Sequence, residues 1–336
     1  MISGFGLFGG LVVSSISIQP DGKILAAARG FNPAFVVGRF SPDGSVDTTF
    51  GTAGVSRTLP FNQPVLVNVL ALQPDGKILL AGGGFLERLN NSGQVDTTFG
   101  INGAAPVISV SPTAIALQGD GKILLTTGLF PRGQAGMVSQ AGSISRYTAD
   151  GALDTSFGVQ GQAASVAQAS AIALQGDGKI VVAGALTSNL FPPPAGNDTG
   201  FGLVRYNSNG SIDTTFGKHG GVITDFGSSA PFAVDFALAI QSNGNIIAAG
   251  QAGPRPVDFT FVPSSLALAR YTSDGRLDLT FGMGGKVITN LGSNNLAFIS
   301  ATALQSDGNI VVAASSGVPS RLGYIPNYVV ARYLGH

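Results

Sequence analysis

Short apolar runs alternate with polar turns along the whole chain. Ile16-Ser17-Ile18 and Ile24-Leu25-Ala26 flank Asp21-Gly22. An Asp-Gly flanked in this way predicts a tight hairpin, with the glycine in the left-handed region. Pro20 and Pro74 suit the second position of a type I turn. The run after the turn is apolar at consecutive positions, as in Ile180-Val181-Val182-Ala183 and Ile310-Val311-Val312-Ala313. A strand without a polar side is expected to be buried on both faces. Further strands are predicted at Phe35-Arg39, Leu203-Tyr206 and Leu266-Tyr271, and others after a Phe-Gly pair, at Val222-Thr224 and Val287-Thr289. No segment sustains a period of 3.6 residues, which excludes a helical solenoid.

The pattern repeats. A motif of Gln, any residue, Asp/Asn-Gly and Lys/Asn-Ile starts at Gln19, Gln73, Gln118, Gln175, Gln241 and Gln305. A second motif, running from an Arg to a Phe-Gly, starts at Arg39, Arg88, Arg146, Arg205 and Arg270, and a sixth copy begins at Arg332-Tyr333-Leu334. The two alternate without a gap. Each unit holds about four strands, the content of a propeller blade. The expected fold is all-β, a six-bladed β-propeller of four-stranded antiparallel blades. It is read as one domain over residues 1–336, with units at about 5–50, 51–99, 100–157, 158–216, 217–281 and 282–336. A β-helix rung would not carry a hairpin in every unit, and a β-sandwich gives no reason for six similar units.

The units resemble the bacterial delta-60 repeat, whose consensus is close to Ala-Leu-Gln-Pro-Asp-Gly-Lys-Ile, then Ala-Arg-Tyr, then Asp-Gly-Ser-Leu-Asp-Thr-Thr-Phe-Gly. Leu174 to Ile180, Leu203 to Gly217 and Leu266 to Gly282 carry the likeness best. It covers essentially the whole chain and implies a propeller in large, exported or surface-attached bacterial proteins. It implies no defined activity. Asn243, Asn245 and Asn309 depart from the usual Asp or Lys, and Leu89-Asn90-Asn91-Ser92 departs from Tyr-x-x-Asp.

Composition narrows the function. The 18 basic and 18 acidic residues cancel, so no basic excess exists to neutralise a phosphate backbone and nucleic acid is not an expected partner. Charged residues are only 11% of the chain, yet no stretch of about 20 residues is continuously apolar, and no membrane insertion is expected. Cysteine is absent, which excludes disulfides, thiol catalysis and thiolate metal sites. Residues 1–18 read as structure rather than as a signal peptide, because Phe5-Gly6 to Val13 matches segments inside later repeats. Phe5-Val13 could also complete a blade with the last strand. The chain is expected to be secreted or at the cell surface, with any export signal lying outside it.

Five Arg/Asp pairs recur eight residues apart: Arg39/Asp47, Arg88/Asp96, Arg146/Asp154, Arg205/Asp213 and Arg270/Asp278. Across a type I turn with a glycine bulge these positions face each other, which suits a charge-assisted contact. Repetition in every blade is what a scaffold requires, so these are read as structural pairs. The turn lysines Lys23, Lys77, Lys122 and Lys179 are read as solvated hairpin tips. The Asp-Gly turns lack the dense carboxylates of a calcium loop. No metal and no cofactor are expected. With only His219 and His336, and no Gly-x-Ser-x-Gly elbow, hydrolytic triads are poorly supported. Glu87 is the only glutamate, so a carboxylate pair would draw mainly on aspartates outside the repeat, namely Asp198, Asp225, Asp235 and Asp258.

Loop length points to a recognition surface. The Gln-x-Asp-Gly turn and the Arg-to-Phe-Gly link are constant in length, whereas the other two connections vary. The second unit passes almost directly from Gly82-Gly84 to Phe85, while others insert about Leu129-Gly142, Thr187-Gly200, Gln251-Ser264 and Ser315-Asn327. The inserts carry the candidate binding residues Phe130, Arg132, Phe191, Asn197, Asp198, Arg255, Asp258, Phe259, Arg321, Tyr324 and Tyr328. Aromatics beside Arg and Asn suit a peptide or a sugar. The expectation is a non-enzymatic scaffold or binding module that contacts protein or glycan through this face. The alternatives are a hydrolase or lyase with an Asp/Tyr site at a central channel, and a structural repeat that self-assembles. The oligomeric state is left open.

Overall fold

The computed structural model describes residues 12–29, 35–57, 67–108, 112–127, 143–164, 168–185, 200–227, 230, 232–254, 264–292, 296–317, 319–320, 323–324 and 327–335. They form antiparallel sheets, each taking its strands in chain order. The first blade holds β1 (Val12–Ile18), β2 (Ile24–Arg29), β3 (Val36–Phe40) and β4 (Val55–Arg57). The second holds β5 (Val67–Leu72), β6 (Ile78–Gly82), β7 (Phe85–Leu89) and β8 (Ala104–Pro106). The third holds β9 (Pro112–Leu117), β10 (Ile123–Thr127), β11 (Ser143–Tyr147) and β12 (Gln162–Ala164). The fourth holds β13 (Gln168–Leu174), β14 (Ile180–Ala185), β15 (Phe201–Tyr206) and β16 (Gly221–Thr224). The fifth holds β17 (Phe232–Ile240), β18 (Ile246–Gly253), β19 (Ser265–Tyr271) and β20 (Lys286–Thr289). In the sixth, β21 (Leu296–Leu304), β22 (Ile310–Gly317) and β25 (Asn327–Tyr333) form three described strands, with β23 (Pro319–Ser320) and β24 (Gly323–Tyr324) as a separate ribbon. The protein is an all-β, six-bladed β-propeller.

Two compact units divide the chain. Residues 1–130 and 144–163 hold the first three blades, and residues 131–143 and 164–336 the last three. The unit boundary read from the repeat at residues 50/51 falls inside the first sheet, which runs on to Arg57.

The second and third strands of the first five blades explain the two-sided apolar runs. Ile78–Gly82 and Ile123–Thr127 are buried at every position, and so are Val36–Phe40 and Phe201–Tyr206. Alternate residues serve different neighbours. Leu80 and Leu89 pack towards the first blade with Leu25, Phe35, Val37 and Phe50, whereas Leu79, Leu86 and Phe99 pack towards the third with Ile123, Leu125 and Tyr147. The core is therefore a series of blade-to-blade layers, which is why neither strand tolerates a polar side.

A type I′ hairpin leads into each fourth strand. Thr52 and Val55 exchange backbone bonds of 2.8 and 3.2 Å around Ala53 (φ 53°) and Gly54 (φ 90°). Asn102, Gln160 and His219 take the same left-handed position in the next three blades, with φ of 50–56°.

Candidate functional site

The link after the third strand brings an arginine beside an aspartate. Asp47 N donates to Arg39 O at 3.0 Å, closing a turn in which Gly44 N reaches Ser41 O at 2.8 Å. Across it, Arg39 Nε donates to Asp47 Oδ2 at 2.8 Å. The same contact measures 2.9 Å for Arg88–Asp96, 2.8 Å for Arg146–Asp154, 2.8 Å for Arg205–Asp213 and 2.9 Å for Arg270–Asp278. The second carboxylate oxygen accepts a hydroxyl two residues on, from Thr49, Thr98, Ser156, Thr215 or Thr280, at 2.5–2.6 Å. The guanidinium lies 4.6–4.7 Å over the ring of Phe50, Phe99, Phe157, Phe216 or Phe281, within cation–π range.

The same arginine reaches forward. Nη1 donates to a carbonyl three residues past the corresponding arginine of the following blade: Arg39 to Asn91 O at 2.6 Å, Arg88 to Ala149 O at 2.9 Å, Arg205 to Ser273 O at 2.6 Å and Arg270 to Gly335 O at 2.7 Å. Phe50 fills the space beneath Gly93 (φ 82°), where a Cβ would stand 2.7 Å from the ring. Phe99 fills the space beneath Gly151 and Phe216 that beneath Gly275 in the same way. A tyrosine returns the contact: Tyr271 Oη donates to Thr224 Oγ1 at 2.6 Å, and Tyr333 Oη to Thr289 Oγ1 at 2.9 Å. The arrangement joins two turns of one blade to the turn of the next. Its arginines are buried, with three nitrogens engaged, and so present nothing to a ligand. The threonine, phenylalanine and carbonyl partners were not singled out from the sequence, although Asp-x-Thr/Ser-Phe-Gly is spelled in five copies.

The turn lysines are not free solvated tips. Lys23 Nζ lies 3.2 Å from Asp47 Oδ2, Lys122 Nζ 3.3 Å from Asp154 and Lys179 Nζ 2.9 Å from Asp213. In the fifth blade Asn245 donates to Asp278 at 3.2 Å instead. These partners hold the aspartates ionised. The Thr49 hydroxyl, with the Thr49 amide, Lys23 and Arg39, outweighs burial and keeps Asp47 below the ordinary carboxylate range. The Ser156 hydroxyl leads the same set at Asp154, which falls to about 2. At Asp96 and Asp213 burial is the largest single influence and opposes ionisation, but the hydroxyl, amide and cationic partners together prevail. Asp278 is lowered chiefly by the Thr280 hydroxyl.

Of the loop candidates, Phe130, Arg132, Phe191, Asn197, Asp198, Arg255, Asp258, Phe259 and Arg321 lie outside the described residues. Tyr324 is in β24 and Tyr328 in β25, where it is 90% exposed. Asp225 accepts the Gly227 amide at 2.7 Å, Asp235 lies in β17, and His219 occupies the type I′ turn. Among the described residues no group of three His, Asp or Glu side chains is gathered as a metal site would need, and no helix is long and apolar enough to cross a membrane.

A family model described as "Domain of unknown function (DUF5122) beta-propeller" matches residues 19–50, 73–99, 118–157, 175–216 and 241–281, more than half of the chain. No curated protein matches the sequence at a significant level. Among solved structures, a streptogramin B lyase is similar at 12% identity and a TM-score of 0.56, with 96% of this chain and 82% of that one covered. A luciferin-regenerating enzyme is similar at 11% identity and a TM-score of 0.51, over 95% and 91% of the two chains. A gluconolactonase of Xanthomonas campestris is similar at 12% identity and a TM-score of 0.45, over 97% and 98%. The likenesses to the streptogramin B lyase and the luciferin-regenerating enzyme show a shared fold. They correct the expectation that the chain is not an enzyme, because proteins named as a lyase and a luciferin-regenerating enzyme are built on the same fold.

Proposed function

The chain belongs to the DUF5122 β-propeller family, and from that premise we propose that it is a binding propeller, contacting protein or glycan through the connections that leave each blade at the end opposite the Gln-x-Asp-Gly hairpin. The delta-60 assignment and a secreted or surface location are part of this proposal. One observation carries it. At the hairpin end, Arg, Asp, Lys and Thr side chains and the turn carbonyls are engaged with one another, blade after blade. The connections of unequal length all leave from the other end, where the second strand stops and the third begins. Loops of varied length on a repeated, locked frame are the usual place for recognition.

The test is a glycan array together with pull-downs. One arm uses the chain as it stands. The other uses a variant in which residues 128–142 and 186–199 are shortened to the direct passage found between Gly82 and Phe85. Binding that is lost in the shortened variant, with its circular dichroism unchanged, supports the proposal. Blank results for the full chain overturn it. A second reading, a lyase or hydrolase built from Asp and Tyr, is favoured by the fold shared with the streptogramin B lyase. Turnover in a lyase and hydrolase screen that falls in Asp225→Asn or Asp235→Asn would select it, and no turnover would remove it.

A further inference from the structure

Glu87, the only glutamate in the chain, is 0% exposed in β7. The residues that precede the other repeat arginines are Gly38, Ser145, Val204, Ala269 and Ala331. Glu87 is in register with Leu80 of β6 and Ala104 of β8, so it shares the face on which Leu80, Phe85 and Leu89 meet the first blade. In the third blade the same positions hold Ser145 and Tyr147, whose hydroxyls lie within hydrogen-bonding reach of each other. Tyr147 Oη also accepts the Ile108 amide of the preceding blade at 3.2 Å. In the second blade Leu89 stands in the place of Tyr147, and the longer Glu87 in the place of Ser145. A carboxyl has replaced a hydroxyl pair inside a layer between two blades of one unit.

We infer that Glu87 keeps its proton in the folded protein, which makes the joint between the first and second blades firm in acid and looser as pH rises. An anion in an apolar layer loses its hydration, so burial favours the neutral carboxyl. A neutral carboxyl can still donate a hydrogen bond. Burial acts in this direction on the equivalent face of the third blade, where it raises the Tyr147 phenol. The layer facing Glu87 holds Leu25 and Ala27 of β2, Phe35, Val37 and Arg39 of β3, Ser56 of β4, and Leu70 and Leu72 of β5. Arg39 is engaged by Asp47, Thr49 and the Asn91 carbonyl, and Asp47 also holds Lys23. Arg29 comes at the same parity in β2 as Leu25 and Ala27, whereas Arg57 comes at the opposite parity to Ser56 in β4 and is exposed. The unfolded glutamate titrates near about 4.3. Above that value the unfolded chain gives up its proton while the folded chain retains it, so stability falls as pH rises until the folded carboxyl also ionises.

Urea unfolding of the wild type and of Glu87→Gln, followed by far-UV circular dichroism between pH 5 and pH 7, isolates this proton, because the other titrating groups are common to both chains. The folding equilibrium constant of the wild type should fall by about tenfold or more relative to that of Glu87→Gln across this range. Glu87→Ser with Leu89→Tyr, which rebuilds the pair of the third blade, should behave as Glu87→Gln does and takes its place if that variant fails to fold. A ratio that stays constant with pH overturns the inference. So does a wild type that gains on Glu87→Gln as pH rises, the result that an ion pair with Arg29 would give.

Discussion

Arg205→Ala tests whether the arginine staple holds the propeller together. Arg205 is 5% exposed and Asp213 5%. The substitution removes the 2.8 Å bond to Asp213, the 2.6 Å bond to Ser273 O in the next blade, the 3.2 Å bond to Gln175 Oε1 and the stacking on Phe216. It leaves Asp213 buried with Lys179 at 2.9 Å as its remaining cation. Breaking a buried pair from one side costs about 3–5 kcal/mol. Because Lys179 stays, the expected loss is at the lower end, about 3 kcal/mol. Arg205→Lys should restore less than half of this, since an ammonium cannot bond three separated acceptors or stack as a planar cation. Arg205→Met with Asp213→Asn should lie closer to the wild type than Arg205→Ala does, because no uncompensated charge remains. With no tryptophan in the chain, urea unfolding followed by far-UV circular dichroism is the suitable assay. A loss below about 1 kcal/mol for Arg205→Ala, or a Lys variant equal to the wild type, would refute the staple as an energetic element.

Three further outcomes are expected. Phe99→Ala empties a fully buried site beneath Gly151 and under Arg88, and should lower the urea-derived stability by about 3–5 kcal/mol. Ala53→Asn places at φ 53° a residue that tolerates the left-handed region, as Asn102 does in the next blade, and should raise stability by about 0.5 kcal/mol in the same assay. The staple aspartates have folded pKa values below the unfolded value, so their stabilisation is complete above about pH 4 and is lost as pH falls through the folded value. For Asp154 that window runs down to about 2, and the urea midpoint of Asp154→Asn should therefore vary less between pH 5 and pH 2, against a wild type that declines, by about 2 kcal/mol from this group.

The hairpins and the two-sided apolar strands were legible in the chain itself. An Asp-Gly between apolar runs sets its own turn, and a run such as Ile78-Leu79-Leu80-Ala81 has no side that could face water. The Arg39–Asp47 contact needs only the residues between them, since a turn of fixed length sets which side chains meet. Contacts formed between sheets were not legible. Arg39 finds its forward partner at Asn91, in the next blade, and Phe50 finds its place beneath Gly93. Nothing local to either residue specifies that neighbour. Lys23 reads as a solvated tip in the sequence, and only the approach of the third-strand turn turns it to Asp47. Periodicity determines that a face is apolar, because it follows from the backbone's own repeat. Whether that face is covered depends on how sheets stack, which only the tertiary structure decides.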